Sequence, residues 1–142
     1  MDVLGENYVE VINSYTKKQW KPLLDLIPII ENTEKFGEVG GGEKREDGSF
    51  TFPYSIPSQV VCQFRDVVNE IPIIIGFDWG SWAKFNPIVH NDDFDFDTID
   101  IPAKCMAIST FVRADRFCDG VLVDKFEKGV ILSILKSIEN QM

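Results

Sequence analysis

The chain has 142 residues and a formal net charge of −9, with 44% hydrophobic and 26% charged residues. These values predict one globular domain over residues 1–142, with a core large enough to be stable without disulfide or metal cross-links. The negative charge repels phosphate backbones and no basic patch offsets it, so we expect no nucleic-acid partner. No apolar stretch is long enough to span a bilayer and no export signal is visible, which predicts a cytoplasmic protein with no membrane partner.

The first third of the chain predicts short helices followed by a loop. Apolar residues at helical spacing indicate an amphipathic helix over about residues 6–18. A second helix is expected with Pro22 in its first turn, and Pro28 should kink or break it after about two turns. Glycines among charged residues predict a mobile surface loop or hairpin tip over residues 37–49.

The middle of the chain predicts at most a small β element, near residues 50–56 and 72–78. The first segment is expected to be an edge strand because Pro53 cannot donate a ladder hydrogen bond. The second is short, apolar and β-branched, as in a buried strand. Pro57 then opens a helix with a strong apolar face, formed by Val60, Val61, Phe64, Val67 and Val68.

The last third predicts the clearest helices. Asp100 is expected to cap a helix that carries Pro102 in its first turn and Cys105, Ile108 and Val112 on one apolar face. Two short helices hinged at Gly129 should follow. The fold class is therefore mainly α, a compact helical domain of five to six helices.

An acidic loop follows residue 90. Asp93, Asp95 and Asp97 alternate as they do at the start of a calcium-binding loop, but Thr98 and Lys104 stand where that loop requires Gly and Glu. The favoured interpretation is a solvated loop, anchored by the rings of Phe94 and Phe96 and helping the next helix N-terminus. No metal and no cofactor are predicted.

Two single residues could carry chemistry. His90 is the chain's only histidine, so a catalytic pair of a nucleophile and an imidazole base would need it. Cys118 lies between Arg116 and Asp119, where its thiol pKa could be lowered. A packed or surface role is favoured for both, and no catalytic residue is predicted.

A denser polar cluster lies between two apolar runs. Arg113 and Arg116 share a helix face and could form a fork for an anion, or they could tie the helix end to acids. An acid between aromatic residues, Asp78, needs a partner and an arginine would serve. The candidate ligand-binding residues are Arg113, Arg116, Asp115, Asp119, Asp78, Trp79 and Trp82.

The stretch "FVRADRFCDGVLVDKFEKGVILSIL" resembles the C-terminal signature of an uncharacterised, mostly bacterial family, domain of unknown function 6508. The segments "FTFPYSIPSQVVCQF" and "GFDWGSW" are similar to other parts of that family. The resemblance covers about residues 50–138, and the first 45 residues match only as generic helices. It implies no reaction, cofactor or partner.

Two functions remain open from the sequence. The favoured one is a non-catalytic binding or interaction protein for an unknown protein or a small anionic ligand, and a homo-oligomer is left open. The alternative is an enzyme, a hydrolase or transferase, that would bind an anionic substrate through Arg113 and Arg116. Its general base would be Asp78, Asp115 or Asp119. The binding function is favoured because the sequence shows no recognisable set of catalytic residues.

Overall fold

The structure is a computed structural model that describes residues 6–40, 44, 46–49, 54–71, 73–74, 87–88, 90–117 and 120–142. Its helices are α1 (Glu6–Ser14), α2 (Lys17–Leu24), α3 (Leu26–Glu31), α4 (Gln59–Glu70), α5 (Ile101–Phe117), α6 (Val121–Glu127) and α7 (Val130–Gln141). Two strands, β1 (Gly37–Gly40) and β2 (Tyr54–Pro57), form a small antiparallel sheet. The described part of the chain is therefore mainly helical with only this small sheet, and the predicted mainly helical fold is confirmed.

The N-terminal helices break where local chemistry starts a new helix. The first helix ends at Ser14 rather than residue 18. A second begins after Thr16, whose backbone N–H donates to the side chain of Gln19 at 2.9 Å, one half of a capping box. Pro22 therefore lies inside α2, and its predicted place in a first turn is wrong.

The break between α2 and α3 is the one predicted for Pro28, but it lies at Asp25, three residues before the proline. A proline ring clashes with the carbonyl four residues earlier, which here belongs to Leu24, the last residue of α2. The chain turns at Asp25, and Pro28 then falls in the first turn of α3, where a missing N–H costs nothing.

The hairpin corrects part of the predicted loop. Residues 37–40 form β1, paired with β2 so that Glu38 faces Ile56, whereas the sequence placed them in the loop of residues 37–49. Strand β2 lies at the predicted edge strand of residues 50–56, of which residues 50–53 lie outside the described part. A Cβ on Gly37 would stand 2.8 Å from Val123 Cγ1, so only glycine lets this strand approach α6 so closely.

The second predicted strand, over residues 72–78, is described only at Ile73 and Ile74, which belong to no strand. The carbonyl of Ile73 instead accepts hydrogen bonds from the hydroxyls of Tyr8 at 2.9 Å and Ser109 at 3.2 Å. Pro57 ends β2 and does not open α4, which begins after Ser58.

The core lies where α4, α5 and α7 bury their apolar faces. Of the predicted face of α4, Val60, Val61, Phe64 and Val68 are buried and Val67 is half-buried. The Asp100 carboxylate accepts a hydrogen bond from the N–H of Ala103 at 3.0 Å, which confirms the predicted cap of α5. Gly129, at φ 78°, separates α6 from α7, and α7 buries Ile131, Ile134 and Ile138 as predicted.

Aromatic contacts join these layers. The ring of Phe126 on α6 packs at 5.2 Å from that of Phe64 on α4 and at 5.4 Å from that of Phe36, which precedes β1. Helix α7 packs against α2, α3 and α5, so the two ends of the described chain meet in the core. Across the described ranges, every helix is too short or too polar to cross a membrane.

Candidate anion-binding site

The polar cluster predicted from the sequence begins at the C-terminal end of α5. Arg113 is half-buried, and its Nε is buried without a hydrogen-bond partner among the described residues. Arg116 is exposed in the last turn. Asp115 lies between them in sequence, and its side chain is only 18% exposed.

Asp115 braces the corner between α5 and α6. Its Oδ1 accepts a hydrogen bond from the backbone N–H of Leu122 at 3.1 Å. Its Oδ2 lies 3.8 Å from Nη1 of Arg65 on α4, a long ion pair. One carboxylate therefore links three helices, and the favourable placement of an acid at a helix N-terminus adds to the link.

The arginines do not share the side of α5 on which Asp115 lies. Residues two apart on a helix point in roughly opposite directions, whereas Arg113 and Arg116, three apart, share a face. Arg113 follows Ser109 by one turn, and the Ser109 hydroxyl donates to the carbonyl of Ile73 at 3.2 Å. Among the described residues no acid lies within ion-pair distance of either Arg113 or Arg116.

Several predicted site residues lie outside the described part of the chain. These are Asp78, Trp79, Trp82, Cys118 and Asp119. The expected pairing of Asp78 with an arginine, and the two interpretations of the Cys118 thiol, therefore stay predictions.

Sequence reasoning missed Arg65. The chain has four arginines, and Arg65 reaches from α4 to Asp115 on the helix that also carries Arg113 and Arg116. A second contact joins Arg65 Nη2 to the thiol sulfur of Cys62 at 3.8 Å. Only the tertiary packing of α4 against the corner reveals this residue, because nothing near it in sequence marks it.

The acidic loop is held by local hydrogen bonds and buried rings. Asp95 accepts from the N–H of Asp97 at 3.0 Å and starts a 3₁₀ turn, Phe96–Thr98. Phe96 is buried and its ring packs 5.0 Å from that of Phe94, as the anchoring hypothesis predicted. Within the described ranges, no group of three or more His, Cys, Asp or Glu side chains is arranged to hold a metal.

Lys125 of α6 and Lys128, the residue directly after this helix, hold the start of this loop. The Asp92 carboxylate lies 3.2 Å from Nζ of Lys125 and 3.5 Å from Nζ of Lys128. The hydrogen bond from Lys125 is the main reason that the pKa of Asp92 lies below its ordinary value. The Lys125 ammonium also lies 5.2 Å from the centre of the Phe111 ring, a cation–π contact. The neighbouring His90 is exposed in a turn.

Cys105 is a packing residue. It is buried in α5 beneath Tyr8, and this burial raises the pKa of its thiol to about 12. Burial also raises the pKa of Tyr8, whose hydroxyl is already committed to the carbonyl of Ile73. Neither group is suited to act as a nucleophile near neutral pH.

The described part of the chain is a mainly helical domain with an arginine-bearing corner between α5 and α6. The model of a family of unknown function (DUF6508) matches residues 15–142, and the chain belongs to that family. The match confirms the resemblance seen over residues 50–138 and extends it through α2 and α3. No curated protein and no solved structure matches the chain.

Proposed function

We propose that this protein is a non-catalytic binding protein that holds an anionic group, a carboxylate or phosphate of a small ligand or partner protein, at Arg113 and Arg116. The observation that carries this proposal is the half-buried guanidinium of Arg113. Its Nε is removed from water and has no hydrogen-bond partner among the described residues. Such a group costs about 1–3 kcal/mol unless something binds it.

Arginine is the side chain that suits this role. Its planar guanidinium presents donors in a fork that matches two oxygens of a carboxylate or phosphate. Arg116 lies one turn further on the same face and is exposed. A ligand held by Arg113 can therefore also bind the guanidinium of Arg116. In a chain of net charge −9, two cations without a described acid partner form a local attraction for an anion.

A purely structural role accounts for only half of this arrangement. A cation in the last turn of a helix interacts favourably with the helix dipole, which explains Arg116. It does not explain a buried Nε on Arg113, one turn earlier. The structural work at this corner is done by Asp115 and Arg65, through the contacts to Leu122 and to each other.

The enzyme alternative has less support. Of its three proposed bases, Asp115 is engaged on both sides, by the Leu122 amide and by Arg65, and it lies away from the face of Arg113. The other two, Asp78 and Asp119, lie outside the described residues. The binding function therefore rests on the described contacts and the catalytic one does not.

A thermal-shift titration with inorganic phosphate and with acetate, at constant ionic strength set by chloride, tests the proposal. Wild type is compared with Arg113→Lys, which keeps the charge but removes the fork, and with Arg116→Gln. Lys136→Gln serves as the control, because Lys136 is an exposed cation on α7 paired with Glu31. We expect an anion-dependent rise in Tm in wild type and control that Arg113→Lys abolishes and Arg116→Gln reduces. No rise, or equal rises in all four proteins, would overturn the proposal.

A further inference from the structure

A basic groove lies between α2 and the C-terminal end of α7. It has a volume of about 460 Å³, and its α2 wall carries the exposed lysines Lys17, Lys18 and Lys21 together with Leu24. Met142 lies on the α7 side of the groove, and the side chains of Leu24 and Met142 are both half-buried. The groove therefore combines an apolar floor with a rim of ammonium groups.

Two of these ammonium groups have no acid partner among the described residues. Lys21 lies 2.8 Å from the carboxylate of Asp25, which neutralises it. No described acid lies within ion-pair distance of Lys17 or Lys18, and the other acid of the groove, Glu139, is beyond that distance. In a chain of net charge −9, this end of α2 is a local positive surface that attracts a negative one.

A surface of opposite charge is present in the same chain. The acidic loop exposes the carboxylates of Asp93, Asp95 and Asp97, and the ring of Phe94 between the first two is half-buried. Within the described ranges, no cation lies within ion-pair distance of these three carboxylates. The loop thus carries negative charge on both sides of a partly exposed aromatic ring, the chemical complement of the groove.

Helix α7 lies between the two surfaces. Ser137 and Gln141, one turn apart, donate hydrogen bonds to the end of the acidic loop. Glu139 and Met142 line the groove. At 3.6 residues per turn these two pairs lie on opposite flanks of α7, with the buried side chain of Ile138 between them on the core side. The basic and the acidic surface are therefore neighbours, separated by the exposed face of the last two turns of α7.

We propose that this face of the protein binds a second copy of the same chain. A two-fold axis that runs along the exposed face of α7 places the groove of each copy against the acidic loop of the other, so every contact occurs twice. The ammonium groups of Lys17 and Lys18 pair with carboxylates of the opposing loop. Phe94 of that loop covers the apolar floor of the groove.

A second copy is favoured over an unrelated acidic protein because the complementary surface is already present beside the groove. The net charge of −9 on each copy opposes association only weakly. Mobile ions screen charges separated by more than about 8 Å at physiological ionic strength, whereas ion pairs across the contact lie within that distance. Complementary charges also fix the register in which the two copies meet.

Sedimentation equilibrium of the full chain tests the proposal. Wild type should reach twice the 16.2 kDa mass of one chain. A groove variant carries Lys17→Glu and Lys18→Glu, and a loop variant carries Asp93→Lys and Asp95→Lys. Each places like charges in contact and should raise the dimer dissociation constant at least about tenfold.

An equal mixture of the groove variant and the loop variant should form a heterodimer. Both of its contacts are complementary, because the acidic groove of one variant meets the basic loop of the other and the two remaining surfaces are those of wild type. Circular dichroism checks that each variant is folded. If the loop variant is unfolded, Asp93→Lys alone replaces it, since the Asp93 carboxylate accepts no hydrogen bond from the described residues.

The matched control carries Lys35→Glu and Lys44→Glu, two exposed lysines outside the groove, and has the same net charge as the groove variant. It should dimerise as wild type does. A wild type that stays monomeric at about 1 mM would overturn the proposal and leave the groove to a different acidic partner. Dimers that persist in all variants, equal weakening in the control, or a mixture that stays monomeric would also overturn it.

Discussion

The carboxylate of Asp115 accepts a hydrogen bond from the backbone N–H of Leu122 at 3.1 Å, so a side chain of one helix caps the next. The residue before α6 is Gly120, which has no side chain to serve as the cap. Asp115 takes that role from the preceding helix, across the corner. Asp115 therefore has a structural role at this corner, whereas the proposed anion site consists of Arg113 and Arg116.

Removal of this brace should destabilise the fold. We expect Asp115→Ala to lower the free energy of unfolding by about 1–2 kcal/mol, because it leaves the Leu122 amide without its acceptor and Arg65 without its acid. Asp115→Asn keeps an oxygen for the amide and should cost less. Urea denaturation measures both. Asp66→Ala, on the exposed face of α4, should change the stability by less than about 0.5 kcal/mol. Equal losses in Asp115→Ala and Asp66→Ala would contradict the brace.

Close contact between β1 and α6 predicts a cost for any side chain at position 37. Gly37→Ala places a Cβ 2.8 Å from Val123 Cγ1, and we expect a loss of about 1–3 kcal/mol from overpacking. Val123→Ala removes the obstructing methyl groups. The double variant should therefore lose less stability than the sum of the two single variants, as a double-mutant cycle by chemical denaturation would show. Simple additivity would mean that the strand moves away instead.

The buried amine of Lys104, whose Nζ has no hydrogen-bond partner among the described residues, predicts a stabilising substitution. Lys104→Met keeps the aliphatic length and removes the unpaired nitrogen, so we expect a gain of roughly 1–3 kcal/mol in the free energy of unfolding. Lys136→Met, at an exposed site, should have little effect. If Lys104→Met is as stable as wild type or less stable, the amine has a partner that the described contacts lack.

The same residue gives a pH dependence with a definite sign. Burial lowers the pKa of Lys104 from its ordinary value of 10.5, so below that value the folded chain binds fewer protons than the unfolded chain. Its contribution to stability is therefore complete above pH 10.5 and is lost as the pH falls through the lowered pKa. The advantage of Lys104→Met over wild type should shrink as the pH rises toward 10.5. An advantage that does not vary with pH would contradict this assignment.

Thiol reactivity should separate Cys105 from Cys62. Burial raises the pKa of Cys105 to about 12 and excludes reagents, whereas Cys62 is only half-buried. At pH 8 we expect iodoacetamide to modify Cys62 in the folded protein and to leave Cys105 unmodified, with the modified sites identified by mass spectrometry. Both should react at similar rates in guanidinium chloride. Alkylation of Cys105 in the folded protein at a comparable rate would show that α5 opens readily.

Features decided within one helical turn were predictable from the sequence. The Asp100 cap, the Gly129 hinge and the apolar face of α4 each depend on residues a few positions apart, and the structure has all three. The brace at Asp115 was also within reach, because the acid and the helix it caps are neighbours in the chain.

Features decided by remote neighbours were not predictable. Residues 37–40 contain glycines that indicate a loop, yet they form a strand because β2, some 17 positions away, supplies the pairing and α6 requires a glycine. The role of Arg65 depends on α4 packing beside the corner. The burial of Lys104 near the start of α5 is likewise not indicated by the sequence around it, because a lysine is ordinarily exposed.

The packing of α7 has a consequence for the order of folding. This helix follows every other described element in the chain, yet it covers the apolar faces of α2 and α3, and Lys136 reaches Glu31 at 3.0 Å. A nascent chain that lacks α7 leaves those faces open, and exposed apolar surface of this kind promotes association. We therefore expect stable folding to begin only once α7 has left the ribosome, and chains truncated before Val130 to require chaperones.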